Sequence, residues 1–438
     1  MLVMKFGGTS LGDRERIETM VALVKGRLPR RPILVCSAHS KVTDLLLEGA
    51  RQAAAGKPDV GPVAEREHEV LAGLKLPASV VEADLQRLAE LFQGLSLLRE
   101  LTPRSLDHVA AFGERMCVKA IAAFLRRKKI PATAVAADEA GLVTDSRYTR
   151  ATPLPEAYDN LKASLGRVKG VPVVTGFIGR DKDGNVTTLG RSGSDYTATI
   201  VGRAVGAEEV EIWKDVDGVL TADPRIVPGA RPVERMTYAE ASELAYYGAK
   251  VIHPATIHPA LEGGIPVRIL NTFDPKAPGT VILPTRSDAP AGVTSIASKR
   301  GIRLVNISSA RMLGQSGFMA GVFEAFRRHD VVLDLIATSE VSVTVSVDRP
   351  EGLDAAVADL RAIAQVEVEG PCALVAVVGE GIEKGTGVAG PVFTALEKAG
   401  VVVRAISFGA TKTNLQVVVA ETDANRTVAA LHAALFGA

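Results

Sequence analysis

Three stretches of this chain combine cations, hydroxyls and glycine in a way that suits a phosphate or a carboxylate. The first is Lys5-Phe6-Gly7-Gly8-Thr9-Ser10, where an apolar run delivers a lysine to its end and two glycines follow. Because the lysine precedes the glycines, this is not the phosphate loop in which lysine comes after them. It predicts a different cradle, with the N–H groups of Gly7 and Gly8 facing a ligand and a cation beside them. The second stretch is Thr187-Thr-Leu-Gly-Arg-Ser-Gly-Ser-Asp195. Gly190 and Gly193 bring backbone close to a ligand, and Arg191 offers a planar fork for a carboxylate or phosphate. Ser194 is read as the N-cap of a helix running to Val205, whose dipole would face the same ligand. The third is Trp213-Lys-Asp-Val-Asp-Gly-Val-Leu-Thr-Ala-Asp-Pro-Arg225, a loop shaped by Gly218 and Pro224. It carries Lys214, Asp215, Asp217, Asp223 and Arg225. Two readings stand open for its aspartates: metal ligation by Asp215 and Asp217, or the stabilisation of turns.

Other polar groups sort quickly. Thr237-Tyr-Ala-Glu240 is a capping box ahead of a buried helical face, so that segment is structural. Gly248-Ala-Lys250-Val251, just after it, is the better ligand candidate. His253 and His258 are five residues apart and each precedes proline, which fits no H-E-x-x-H site. Both are read as structural. Cys36, Cys117 and Cys372 are far apart and odd in number, which supports neither a disulfide framework nor a zinc site.

These groups need elements to hold them. Apolar runs at Leu2–Phe6, Ile33–Ser37, Val171–Thr175, Val210–Trp213 and Val267–Asn271 read as strands. Helical periods at Arg14–Leu28, Ser105–Arg127 and Ser194–Val205 lie between them. Continuous aliphatic strands separated by helices predict an α/β fold, a mostly parallel sheet covered on both faces. Loops at the carboxyl ends of such strands are where this architecture binds ligands.

At 438 residues the chain is too long for one core. With 51 Lys+Arg against 50 Asp+Glu, the formal charge of +1 gives no global electrostatic case for nucleic acid or an anionic membrane. No apolar run approaches the ~18 residues that span a bilayer. The first strand begins at Leu2, which leaves no room for a secretory signal, so the cytoplasm is expected.

Beyond Pro284 the character changes, and residues 286–292 read as a linker. Then a repeat appears. Gly321-Val-Phe-Glu-Ala-Phe matches Pro391-Val-Phe-Thr-Ala-Leu at an offset of 70 residues, Val322 falling on Val392. Each copy reads strand, helix, strand, strand, helix. In the first these are Ile302–Ser308, Gly317–Arg328, Val332–Ala337, Val341–Val347 and Gly352–Ala364. In the second they are Ala373–Val378, Val388–Lys398, Val402–Ser407, Leu415–Ala420 and Asn425–Leu435. The first has a closing strand at Val366–Glu369, whereas the second runs into the C-terminus without one. The run Val293–Ser298 is available to supply it. The expected domains are therefore 1–285, then 300–370, then 293–299 together with 371–438, the first repeat being inserted into the second.

Taken together, the words Lys5-Phe-Gly-Gly-Thr-Ser10, Phe112-Gly-Glu-Arg115, Thr188-Leu-Gly-Arg-Ser-Gly-Ser-Asp195, Asp215-Val-Asp-Gly218, Asp223-Pro-Arg225 and Glu243-Leu-Ala-Tyr-Tyr-Gly-Ala-Lys250 leading to His253-Pro254 resemble the aspartate kinases of the amino-acid-kinase family. The resemblance covers essentially the whole chain, and the Trp213–Leu220 stretch is most similar to plant-type monofunctional members. It implies a three-layer αβα kinase domain followed by two ferredoxin-like ACT units. It also implies ATP carrying Mg2+ as the phosphoryl donor, L-aspartate as the acceptor, and no protein-held metal.

Carried over residue by residue, Lys5 and Asp195 become the catalytic pair. Phe6, Gly7, Gly8, Lys214, Asp215, Leu220, Arg225, Lys250 and Val251 match the nucleotide side. Ser37, Thr43, Glu114, Phe177, Arg191, Ser192, Gly193 and Ser194 match the acceptor side, with Glu114 on the α-ammonium and Arg191 on the α-carboxylate. In the first repeat, Met312, Gln315, Gly317, Phe318, Met319, Asp334, Ser339 and Glu340 resemble the effector turns of lysine-sensitive members. That implies feedback by lysine, with threonine or S-adenosylmethionine as other candidates, and a homodimer or larger assembly through the ACT units. The chain departs from the family pattern at Ser192 (usually glycine), Leu220 (often tyrosine) and Lys214 (commonly threonine in bacterial members).

The chemistry agrees independently of the name. A carboxylate acceptor has a reference pKa of ~3.9 and is ionised at neutral pH. It needs no general base, which suits a chain with no histidine in these words. The barrier is charge repulsion, relieved by cations, N–H groups and a helix dipole. The competing readings are a different amino-acid kinase, a dead amino-acid sensor, and a piece of a fused enzyme. The Phe-Gly-Glu-Arg word and paired repeats disfavour the first. Intact Lys5, Glu114, Arg191 and Asp195 disfavour the second. The third is disfavoured because the chain ends on a helix with no dinucleotide fingerprint after it.

Overall fold

A computed structural model describes residues 1–248, 254–285, 292–382, 387–408 and 413–437. They form two compact units, one of Met1–Val219, Glu234–Tyr238 and Val251–Arg286, the other of Leu220–Val233, Ala239–Lys250 and Ser287–Ala438.

In the first unit the strands are β1 (Leu2–Phe6), β2 (Pro32–Cys36), β3 (Ala132–Val135), β4 (Val171–Thr175), β5 (Ile178–Arg180), β6 (Val186–Thr188), β7 (Glu209–Lys214), β8 (Arg235–Thr237), β9 (Val267–Asn271) and β10 (Thr280–Leu283). The helices are α1 (Arg14–Arg27), α2 (Val42–Ala54), α3 (Gly61–Gly73), α4 (Glu82–Leu98), α5 (Pro103–Arg127), α6 (Glu156–Leu165), α7 (Gly193–Val205) and α9 (Pro254–Gly263); α8 (Tyr238–Tyr246), which follows β8, belongs from Ala239 onward to the second unit. Eight strands make one sheet in the order β3-β4-β2-β1-β7-β9-β10-β8, parallel except where β10 meets β9. β1 is buried at every position, which is why its sequence is apolar without alternation. Leu2, Met4 and Phe6 share a core with Ile17, Met20 and Val24 of α1 and Ile121 of α5, while α7 packs against β1 as well.

The central strands all point the same way, so their carboxyl ends deliver four turns to one edge of the sheet: Gly7-Gly8 after β1, Ser37 onward after β2, Gly176-Phe177 after β4, and Asp215 onward after β7. Helix α5 starts at Pro103, earlier than Ser105, because Thr102 caps it by accepting the Ser105 N–H at 3.1 Å. No helix among the described residues is long and apolar enough to cross a membrane.

The second unit contains β11 (Ser295–Ser308), β12 (Ile336–Thr338), β13 (Ser342–Val347), β14 (Gln365–Val378), β15 (Ala405–Phe408) and β16 (Asn414–Ala420), with α10 (Phe318–Arg328), α11 (Leu353–Arg361), α12 (Ala389–Lys398) and α13 (Ala424–Phe436). It is two ferredoxin-like α+β repeats fused through one six-stranded sheet, in the order β12-β13-β11-β14-β16-β15. The two long strands do the fusing. Ser295–Arg300 pair with Ala373–Val378, and Leu304–Ser308 pair with Gln365–Glu369, across a register shift at Arg300–Leu304. The segment expected as a strand over Val332–Ala337 is strand only from Ile336. Before that the ladder is replaced by local bonds, in which the Ser346 hydroxyl accepts the Leu335 N–H at 2.9 Å and the Ser346 carbonyl accepts the Asp334 N–H at 3.0 Å.

Residues 220–233 also belong to this second unit. Ala222 is buried in its core beside Val375, Val417 and Leu431, with Ile226 and Val227 packed against the same cluster. Thr221 and the His432 ring are hydrogen-bonded at 2.9 Å. The linker residues 286–291 lie outside the described residues.

Candidate active site

The best-defined feature at the carboxyl edge of the first sheet is a carboxylate held between two lysines. Asp195 sits in the first turn of α7 and is 3% exposed. Lys5 Nζ lies 2.5 Å from its Oδ1 and Lys214 Nζ 2.9 Å from its Oδ2. Strand pairing explains the meeting. β1 and β7 are parallel neighbours with Phe6 beside Trp213, so Lys5 and Lys214 leave the same edge. Burial pushes the Asp195 carboxyl up, but the two ammonium groups outweigh it and hold it below the ordinary range. A carboxylate held that low has little affinity for a proton and makes a weak base. It organises two cations whose charge exceeds its own, which is the arrangement an incoming polyanion needs.

Beside this triad is a cavity of about 240 Å³ lined by Lys5, Ser37, Thr43, Glu114, Phe177, Gly190, Ser192, Gly193, Ser194 and Asp195. It falls below the roughly 300–1,000 Å³ of drug-sized sites, so it suits a small metabolite. Glu114, on α5, has an Oε2 with no hydrogen-bond partner. Burial pushes its carboxyl up to about 8, against the lowering effect of the Ala38 N–H. An ammonium group arriving at this cavity would restore its charge.

The backbone around the cavity is tightly fitted. A Cβ at Gly193 would come within 2.5 Å of the Phe177 ring, one at Gly176 within 2.5 Å of the Ser194 side chain, and one at Gly8 within 3.0 Å of the Ala38 carbonyl. Phe177 itself has a left-handed φ of 67°, and its N–H donates to Thr197 Oγ1 at 2.9 Å. Ser192, at φ 58°, is also left-handed, the region in which glycine is most at ease. It, and not Ser194, occupies the N-cap of α7, and its side chain makes no capping bond. Ser194 is instead buried in the first turn. The helix starts one residue early because Gly193 fits against Phe177 without a Cβ.

Nine of the expected residues therefore surround one space: Lys5, Ser37, Thr43, Glu114, Phe177, Ser192, Gly193, Ser194 and Asp195. Arg191 is exposed and not in the walls of that cavity, one residue before Ser192. Asp215 is exposed on the loop after β7. Leu220 and Arg225 belong to the second unit, where Arg225 is spread over the carboxylate of Asp223, with Nη2 to Oδ2 at 2.6 Å. Lys250, Val251 and His253 lie outside the described residues. Asp217 accepts from the Asn271 amide at 2.6 Å, and Asp223 accepts the Arg225 N–H at 2.9 Å, so both support turns. Among the described residues no group of three or more His, Cys, Asp or Glu side chains has a metal-holding arrangement.

Asp107 is a residue that the motifs do not single out. From α5, its carboxylate accepts the N–H groups of Thr149 (2.8 Å) and Thr188 (2.9 Å) and the Thr188 hydroxyl (2.7 Å), anchoring the end of β6 from which the chain turns into α7. Its only sequence signal is a carboxylate on the apolar side of a helix.

In the second unit, Gly317 has φ 88° and precedes α10, whose first turn begins with Phe318 and Met319. Met312 closes a short 3-10 turn, and Gln315 is exposed just after it. Asp334 is pushed up to about 7 by burial and by the neighbouring Asp348, offset only partly by Arg349. No hydrogen bond reaches its Oδ2, since Lys299 Nζ is 2.6 Å from Asp348 but 3.8 Å from Asp334. Ser339 is hydrogen-bonded to Ser342 at 2.7 Å, and Glu340 is exposed.

Comparison with known proteins gives these features a setting. The amino acid kinase family model matches residues 1–271, and an ACT domain model matches residues 375–435. The chain is 38% identical to the chloroplastic aspartokinase 2 of Arabidopsis thaliana over 99% of its own length and 84% of that protein. It is 34% identical to the lysine-sensitive aspartokinase 3 of Escherichia coli K12, over 100% of the chain and 99% of the relative. The crystal structure of E. coli aspartokinase III with aspartate and ADP, in its R-state, superposes with a TM-score of 0.84 over 100% of both chains at 34% identity. The T-state of that enzyme with lysine and aspartate gives 0.81, over 100% of this chain and 99% of that one.

Proposed function

The chain belongs to the amino acid kinase family as an enzyme of the aspartokinase type, and from that premise we propose that it transfers the γ-phosphoryl group of ATP to the side-chain carboxylate of L-aspartate, giving 4-phospho-L-aspartate and ADP. The observation that carries this reading is the Lys5–Asp195–Lys214 triad beside a cavity whose orphaned carboxyl is Glu114. The acceptor carboxylate is ionised at neutral pH and attacks without a base. Lys5 and Lys214 neutralise the transferring phosphoryl group, and the N–H groups of Gly7, Gly8 and the start of α7 meet its oxygens. Mg2+ arrives on the phosphates, as is usual for this ion, and adds charge neutralisation there.

On the acceptor side, Glu114 takes the α-ammonium, Arg191 the α-carboxylate, and Ser37 and Thr43 donate hydroxyls. Phe177, Ser192, Gly193 and Ser194 shape the walls. On the nucleotide side we assign Phe6, Asp215, Leu220, Arg225, Lys250 and Val251 by resemblance. The product would begin lysine, threonine and methionine synthesis in the cytoplasm. We read 1–285 as the kinase domain, 300–370 as the first ACT repeat, and 293–299 with 371–438 as the second. The first repeat would bind lysine as a feedback effector through Met312, Gln315, Gly317–Met319, Asp334, Ser339 and Glu340, in a homodimer built on the ACT units. Asp334 and Glu340 together support lysine over threonine, because lysine brings a second ammonium on its side chain whereas threonine carries only its α-ammonium.

An ADP-release assay across L-aspartate, L-glutamate, N-acetylglutamate, carbamate and a nucleoside monophosphate tests the reaction. Release with aspartate alone is expected. Preference for another acceptor overturns the assignment.

A further inference from the structure

His39 lies in the turn after β2, between Ser37 and Thr43, the two hydroxyl residues at the cavity. Its ring is enclosed, and Nδ1 is 2.9 and 3.1 Å from the two oxygens of the Glu67 carboxylate, itself fully buried. Glu67 comes from α3, none of whose side chains lines the cavity. The preceding residue grips the same turn: Arg66 Nε donates to the Ser40 carbonyl at 3.2 Å, and its Nη2 donates to the Gly12 carbonyl. The opposite side of the turn faces the reaction. The Ala38 carbonyl closes on Gly8, and the Ala38 N–H donates to the Glu114 carboxylate. Two consecutive residues of one helix thus hold a turn whose other side touches both the phosphate cradle and the acceptor wall.

Burying such a pair is costly, and well-packed apolar residues commonly replace a buried ionic pair without loss of stability. His39 Nε2 also has no hydrogen-bond partner. Packing alone therefore gives little reason for these two polar groups.

We propose that Glu67, acting through His39, is a positioning residue for the acceptor: it fixes the Ser37–Thr43 segment so that the two hydroxyls and the Ala38–Glu114 contact are ready for the substrate. This rests on the reading that the acceptor occupies the Glu114 cavity. Neither group touches substrate; the parts of the segment that meet a ligand are the two hydroxyls and the Ala38–Glu114 contact at the acceptor cavity, so the effect falls on acceptor affinity far more than on the nucleotide's.

The test compares wild type, Glu67→Gln, Glu67→Ala and the double variant His39→Leu/Glu67→Leu, by thermal midpoint and by steady-state ADP release well below the lowest midpoint. Wild-type turnover first identifies the acceptor. If that is not aspartate, the function assigned above fails, and the same comparison is made on the acceptor found. Glu67→Ala and the double variant should raise the KM for the acceptor roughly tenfold, equivalent to about 1.4 kcal/mol, and leave the KM for ATP within about twofold. Glu67→Gln, which still accepts from Nδ1–H, should stay near wild type. The double variant keeps the question open to measurement if Glu67→Ala does not fold. A double variant with an unchanged acceptor KM, or with both KM values raised equally, overturns the proposal.

Discussion

Two buried aspartates, one in each unit, have opposite electrostatic settings. Asp195 lies between two ammonium groups and is held ionised below the usual range. Asp334 shares a single lysine with Asp348, which keeps the closer contact, and its carboxyl is pushed up to about 7. The first cluster carries one positive charge more than it neutralises. The second, once ionised, sets two carboxylates against one lysine in contact, with Arg349 only partly offsetting from farther off. A cluster with surplus cation is prepared for a phosphate, and a cluster lacking one is prepared for an ammonium. Glu114 resembles Asp334 in this respect, since it too is buried, raised and missing a partner. The molecule therefore places two ammonium-seeking carboxyls, one where the acceptor would sit and one in the first regulatory repeat.

The largest expected effect breaks the first cluster. Lys5→Ala or Asp195→Ala should lower kcat by about 10²–10³-fold or more, with the thermal midpoint showing a folded chain. Near-normal turnover in either variant would remove that residue from the mechanism. Next comes Glu114→Gln, which cannot offer an ammonium a countercharge and presents one acceptor oxygen in place of two. The KM for aspartate should rise by roughly 10- to 100-fold, in line with about 1–3 kcal/mol for an unmet buried polar group, while the KM for ATP stays put. Equal changes in both constants would count against the acceptor assignment.

Breaking the second cluster should be silent in the first. Asp334→Ala is expected to abolish inhibition by millimolar lysine and leave uninhibited turnover intact. Its pH dependence sharpens the comparison. A carboxyl raised to about 7 when folded binds more protons folded than unfolded, so its contribution to stability is lost as pH rises from about 4 to about 7. Lysine binding needs the ionised form and moves the opposite way. From pH 6 to pH 8 the inhibition constant for lysine should fall by about tenfold, following the ionised fraction, and Asp334→Ala should flatten the profile. A constant that rises over that range would contradict the assignment.

Contact range in the chain separates what the sequence disclosed from what it hid. Lys5, Gly7, Gly8, Ser192–Asp195 and the parallel strands were legible because their chemistry is contiguous or their apolar pattern is local. The Asp107 anchor, the Thr197 support of Phe177 and the Glu67–His39 pair join residues 81, 20 and 28 positions apart. Nothing in the local pattern at either end announces them. The cap of α7 was misplaced by two residues because the left-handed turn at Ser192 is set by the fit of Gly193 to Phe177, a tertiary contact. The burial of Ala222, Ile226 and Val227 with the C-terminal core was hidden for the same reason.

The most direct test of the central claim is trapping of the acyl phosphate with hydroxylamine while lysine is titrated. The account predicts ATP-dependent aspartyl hydroxamate that forms in wild type, disappears in Lys5→Ala, and is suppressed by lysine unless Asp334 is replaced. Wild-type chain that forms no aspartyl hydroxamate from ATP and L-aspartate would contradict it.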